Sequence, residues 1–190
     1  SGHGVSGGAF DDGCIGDWAE DAKDVIDHVL TLLPDDQIII LVGSSMGGWI
    51  SLLLSRYYHT RMAGLVGIAA APDFTADMER RMSAQQKETL EKNGRIELPN
   101  DYSDEPYVIT KKLIDDGRDH FLLNAPIEAL FPVRLLQGEK DVDVPPAWAE
   151  QIMARLVCED KDLILIPEGD HRLSRDEDLA LLAETLKALD

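Results

Sequence analysis

Cysteine is almost missing from this chain. There are two in 190 residues, Cys14 and Cys158, too few and too isolated for a disulfide framework or a zinc site. Both read as small apolar residues of the kind usually buried, and a reducing cytoplasm is the expected compartment. Basic residues are scarce as well. Eighteen Lys and Arg stand against 36 Asp and Glu, a formal net charge of −18, which excludes nucleic acid and anionic membrane surfaces as partners because both are polyanions. Small or neutral ligands remain, and most of the carboxylates read as solvated surface. No apolar run reaches the length that spans a membrane, and no secretory leader is recognisable. An initiator methionine is also lacking: the chain opens on SGHGVSGG, a glycine-dense stretch that reads as the interior of a loop. The expectation is that residues upstream of it are missing.

What is present is a chain with 44% hydrophobic residues, enough for one domain around a substantial core. Asp17 to Leu32 carries Trp18, Ala22, Val25, Ile26, Val29 and Leu30 at helical spacing. Gln37 to Val42 (QIIILV) is a short unalternating run, expected of a central parallel strand covered on both faces. A helix over Gly47 to Tyr58 and a strand over Gly64 to Ala70 follow. From residue 72 to 131 charges become dense and strand runs vanish, leaving short helical stretches at Phe74 to Met82, Ala84 to Lys92 and Pro106 to Asp116. This segment is expected to be a small helical cap inserted over the sheet. Strand and helix then alternate again: Val133 to Gln137, Pro146 to Leu156, Leu163 to Ile166 and Arg175 to Leu189. Such alternation predicts an α/β fold, a mostly parallel sheet with helices on both faces.

Between the strand QIIILV and its helix stands G-x-S-x-G, formed by Gly43, Ser45 and Gly47. That is the strand-turn-helix context of a nucleophile elbow. Glycine on either side of the serine is expected on steric grounds, since the turn forces the serine into an unfavourable backbone conformation against the neighbouring strand and helix. Ser44 reads as a turn residue. A serine hydroxyl is a poor nucleophile near neutral pH, so it needs a histidine to take its proton and a carboxylate to fix that histidine's tautomer.

In this fold class the order along the chain is serine, acid, histidine. Of the five histidines, His3 and His28 precede the serine, His59 ends the helix after it, and His120 lies in the insertion. His171, in PEGDHRLS after the last strand, is the one left in the required position. The acid comes from QGEKDVDVP, which offers Glu139, Asp141 and Asp143, with Asp170 beside the histidine. The spacing G-x-x-D-x-x-V-P favours Asp141, with Asp143 next. The D-x-D pair could also serve a metal, but no further ligands are flagged by spacing. The expected chemistry is acyl transfer on Ser45, with the backbone N–H of Met46 as one oxyanion donor. It calls for no cofactor and no metal. Trp49, Phe74, Met78, Met82 and Trp148 read as core or cap packing.

Several stretches together carry a family likeness: GSSMGGWISLLL, APDFT, DYSDEPYVITKKLIDDGRDHFLL, PVRLLQGEKDVDVP and GDHRLS. They resemble the bacterial relatives of a mitochondrial α/β-hydrolase that acts as an acyl-protein thioesterase (depalmitoylase) and acyl-glucuronide esterase. The resemblance implies a serine hydrolase of the carboxylesterase or acyl thioesterase type, with Ser45 as nucleophile, Asp141 as acid and His171 as base. It also implies several strands before SGHGVSGG, including the loop that donates the second oxyanion N–H. Without them QIIILV would become an exposed apolar edge, and a true fragment would be nearly inactive, since one oxyanion donor is worth roughly 100- to 1000-fold in turnover. A non-catalytic α/β binding domain that keeps its elbow as structure is the competing class.

Overall fold

The structure is a computed structural model, and residues 1–98 and 106–189 are described. In chain order the elements are α1 (Ile15–Thr31), β1 (Ile39–Ser44), α2 (Met46–Leu54), β2 (Met62–Ile68), α3 (Phe74–Arg81), α4 (Ala84–Asn93), β3 (Arg95–Leu98), β4 (Tyr107–Thr110), α5 (Lys111–Asp119), β5 (Ile127–Glu128), β6 (Val133–Gly138), α6 (Pro146–Arg155), β7 (Leu156–Val157), β8 (Lys161–Ile166) and α7 (Asp176–Lys187). They fall into two compact units, one of Ser1–Asp24 with Asp73–Phe121 and one of Val25–Pro72 with Leu122–Asp190.

The second unit holds a four-stranded sheet in the order β1-β2-β6-β8, every pair parallel. Register aligns Ile40 with Gly64, Val42 with Val66, Ile68 with Leu136 and Leu136 with Ile164. Side chains of a strand alternate between faces, so Ile40, Val66, Ile68, Leu136, Ile164 and Ile166 share one face. Leu181, Leu182, Leu186 and Leu189 of the C-terminal segment pack against that cluster. The other face buries Leu65 and Leu135. Each such side chain contributes about 1.5–3 kcal/mol of transfer free energy. A parallel sheet brings its carboxyl ends to one edge, and the turns after β1, β6 and β8 therefore share the side where α/β folds place their chemistry.

Two expectations change in this unit. β1 begins two residues later than its apolar run suggests and extends through Ser44, which pairs with Ile68. It is also not covered on both faces: among the described residues it pairs with β2 alone, Val42 is 45% exposed and Ile38 is 55% exposed. An unalternating run records apolar composition, whereas cover depends on which neighbours are present.

The first unit has its own core of Met82, Leu90, Ile96, Ile109 and Ile114, with Met78, Leu98 and Tyr107 packed around it. Here strands occur where none was expected. β3 and β4 form an antiparallel pair, Ile96 opposite Ile109, so the helix expected from Pro106 starts only at Lys111. Thr110 caps it, accepting from the Leu113 N–H at 3.1 Å. α4 is set by a capping box between Ser83 and Gln86 and stopped by Gly94 in the left-handed region. No helix among the described residues is long and apolar enough to cross a membrane.

Candidate active site

Ser45 lies between β1 and α2 with φ 53° and ψ −119°, a conformation that costs a non-glycine residue about 1–3 kcal/mol. The surroundings hold it there. Its N–H donates to the Ile68 carbonyl at 2.8 Å, and its carbonyl accepts from Gly48 at 2.9 Å and from Ala71 at 3.1 Å. Gly43 is required by close approach, because a Cβ there would sit 2.1 Å from the Gly47 carbonyl oxygen and 2.5 Å from Ser51 Oγ. The steric expectation fails at Gly47, where a Cβ would meet nothing within 4 Å; the crowding is one residue later, at Gly48 against Ala70 Cβ, 2.5 Å.

The acid loop follows β6. Asp141 is 4% exposed, and its two oxygens divide the work. Oδ1 accepts the N–H groups of Asp143 (3.0 Å) and Val144 (2.8 Å), while Oδ2 accepts from Gln137 Nε2 (3.1 Å) and His171 Nδ1 (2.9 Å). None of the other candidates is both buried and bonded to the histidine as Asp141 is. Asp170 Oδ1 accepts the N–H groups of Arg172 and Leu173, closing its own turn, and Glu139 and Asp143 are exposed.

The histidine loop follows β8 and packs directly on the acid loop. A Cβ at Gly138 would stand 2.4 Å from the Gly169 carbonyl oxygen, so only glycine lets the two loops meet this closely. Lys140 N–H donates to that same carbonyl at 2.9 Å. Leu173, two residues past the histidine, is 5% exposed and sits in the sheet-face cluster, anchoring the loop. His171 thus spans the gap: Nδ1 is 2.9 Å from Asp141 Oδ2 and Nε2 is 3.1 Å from Ser45 Oγ. An ionised carboxylate can only accept, so Nδ1 carries the proton and Nε2 presents its lone pair to the serine hydroxyl. His3 stacks edge-on with Phe10 and Trp18, and His59 bonds the Arg56 carbonyl.

Three of the named residues are therefore brought into one line, and Met46 stands next to them as the first residue of α2, whose leading N–H groups find no acceptor within the helix. Asp141, Asp143 and His171 also bring ligand-type atoms within 4.8 Å of one another. They fit a metal poorly, because the four N–H donors on Asp141 fill the roughly four lone-pair positions of a carboxylate. The sequence reading overlooked Gln137. Its signal was a lone amide ending the apolar strand segment VRLLQ.

A parallel sheet with a strained serine after one strand and acid and histidine loops after two later ones is the α/β-hydrolase arrangement. The sequence model of the alpha/beta hydrolase family matches residues 1–185, and the chain belongs to that family. It is 35% identical over 190 residues to the mouse (Mus musculus) protein called palmitoyl-protein thioesterase ABHD10, mitochondrial, covering 100% of this chain and 62% of that one. The human (Homo sapiens) counterpart is 33% identical, with 100% and 60% covered. The chain thus spans about 60% of the length of the curated relatives it matches. Among solved structures, a protein from Agrobacterium vitis S4 is similar at a TM-score of 0.92 and 41% identity, covering 100% of this chain and 73% of that one. Mouse alpha/beta hydrolase domain-containing protein 10 is similar at a TM-score of 0.87 and 34% identity, covering 100% and 74%.

One expectation is corrected by these likenesses. Cytoplasmic placement rested on the scarcity of cysteine, and the curated relatives are named as mitochondrial. Two free thiols speak for a reducing environment and do not distinguish one reducing compartment from another.

Proposed function

We propose that this chain carries the hydrolytic centre of a serine carboxylesterase or acyl thioesterase, working through an acyl-enzyme on Ser45. The observation that carries the reading is the pair of hydrogen bonds on His171, 3.1 Å to Ser45 Oγ and 2.9 Å to Asp141 Oδ2. Both lie within proton-transfer reach. Ser45 Oγ attacks the carbonyl carbon as its proton passes to His171 Nε2, and Asp141 stabilises the imidazolium that forms. The Met46 N–H supports the oxyanion. His171 then returns the proton to the leaving oxygen or sulfur, and water, deprotonated by the same nitrogen, releases the acid.

Palmitoyl-protein thioesters are the substrate class to test first, on the likeness to the curated relatives. The chemistry suits them: a cysteine thiol has a pKa near 8.5, so a thiolate needs less help from His171 to leave than an alkoxide does.

Labelling with a fluorophosphonate tests the reading. The wild type and Ser44→Ala are expected to react and Ser45→Ala to stay unlabelled. Labelling of Ser45→Ala, or its loss in Ser44→Ala, would overturn the assignment of the nucleophile. A chelator is expected to leave turnover of a 4-nitrophenyl ester and of a palmitoyl thioester unchanged, whereas a metal-dependent reaction would be lost.

A further inference from the structure

Gln137 is a polar side chain in a place that favours apolar ones. It stands in β6, one residue before the strand ends, and is fully buried. Its Nε2 faces three acceptors, the Val144 carbonyl at 2.9 Å, Asp141 Oδ2 at 3.1 Å and the Gly138 carbonyl at 3.3 Å. That set fixes which end of the amide points where, because the reverse orientation would aim an oxygen at two carbonyls and a carboxylate. Its Oε1, meanwhile, is buried with no partner, a desolvation cost with nothing to offset it. A leucine at this position would avoid that cost. The two hydrogens of Nε2 must therefore do something an apolar side chain cannot.

We propose that Gln137 is a positioning residue for the acid of this centre, an inference that rests on the hydrolase reading above. Asp141 Oδ2 receives His171 Nδ1 and Gln137 Nε2 together. The amide tethers that oxygen from the strand side, while the Asp143 and Val144 N–H groups hold Oδ1. With both oxygens held, the carboxylate cannot rotate away from the imidazole. The same amide holds the Val144 carbonyl, clamping the loop six residues past the strand's end at Gly138.

Gln137→Leu and Gln137→Met separate this role from mere packing, since both fill the space and neither donates. The expected result is a kcat on a 4-nitrophenyl ester lowered about 10- to 100-fold with KM changed less than about twofold, in line with the cost of a misplaced catalytic group. The far-downfield proton resonance of His171 Nδ1–H is expected to shift or broaden. Thermal melts show whether each variant is folded. Folded variants with wild-type kcat and an unmoved Nδ1–H resonance would overturn the proposal while leaving the hydrolase reading intact. A wild-type full-length protein that neither labels with fluorophosphonate nor turns over ester would instead overturn the hydrolase reading itself.

Discussion

Replacing Asp141 by asparagine probes the site most directly, because the structure dictates how the new amide must sit. Asparagine has one acceptor and one NH₂ donor where the carboxylate had two acceptors. The N–H groups of Asp143 and Val144 are backbone, 3.0 and 2.8 Å from Oδ1, and they cannot turn away. The asparagine oxygen is therefore held on their side, and the NH₂ group takes the place of Oδ2, facing His171 Nδ1. That nitrogen must now accept, so the imidazole proton moves to Nε2 and points at Ser45 Oγ. A protonated Nε2 cannot take the serine proton. The loss expected from the wrong tautomer is about 10⁴-fold, or about 5 kcal/mol of transition-state stabilisation at 1.36 kcal/mol per factor of ten. The assay is kcat/KM on a 4-nitrophenyl ester and on a palmitoyl thioester, with the second-order rate of fluorophosphonate labelling measured alongside. A folded Asp141→Asn protein within about tenfold of wild type in both would refute the tautomer argument and move the acid's role elsewhere, with Asp143 the next residue to substitute.

Three further outcomes follow from the coordinates. Gly43→Ala is expected to lose fluorophosphonate labelling and several degrees of melting temperature, because its Cβ would press on backbone at 2.1 Å; Gly47→Ala, with nothing within 4 Å, is expected to gain up to about 1 kcal/mol from helix propensity. Equal melting temperatures for the two would contradict the crowding. Burial pushes the Cys14 thiol up to about 11 while Cys158 is partly exposed, so Ellman's reagent at about pH 8 is expected to find one thiol in the native chain and two after unfolding. Arg175 donates to both oxygens of buried Asp178 at 2.7 and 2.9 Å and holds its carboxyl below the usual range. A lowered folded pKa contributes stability above the unfolded value of about 3.9 and loses it as pH falls through the folded one. Asp178→Asn should therefore cost about 1 kcal/mol at neutral pH, given the partly exposed arginine, and the melting-temperature gap to wild type should close as pH falls below the ordinary carboxylate range.

How far the sequence reaches is best judged at particular residues. The strands β2 and β6 could be read because each buries its own apolar side chains, and burial leaves a local pattern. β3 and β4 could not. Their residues, RIEL and YVIT, are held by pairing across intervening chain, and the helical period of KKLIDDGRD runs on backwards into YVIT when that partner is unseen. The site divides in the same way. That Ser45, Asp141 and His171 meet within hydrogen-bonding distance could be read because each stands a short turn beyond a strand, so that order along the chain stands in for proximity in space. The serine motif misplaces one crowded glycine, since Gly43 is crowded, Gly47 is open and the second close approach falls at Gly48, just outside the motif. Crowding at Gly43 comes first from the Gly47 carbonyl, inside the five-residue pattern, but at Gly48 it comes from Ala70, which the pattern does not contain. Gln137 was illegible for a related reason. A glutamine in a strand has many uses, and its meaning here comes from three acceptors converging on one nitrogen and one oxygen left without a donor. Only the folded loop brings those together, so a partner held by converging side chains stays hidden in sequence longer than a residue marked by a motif.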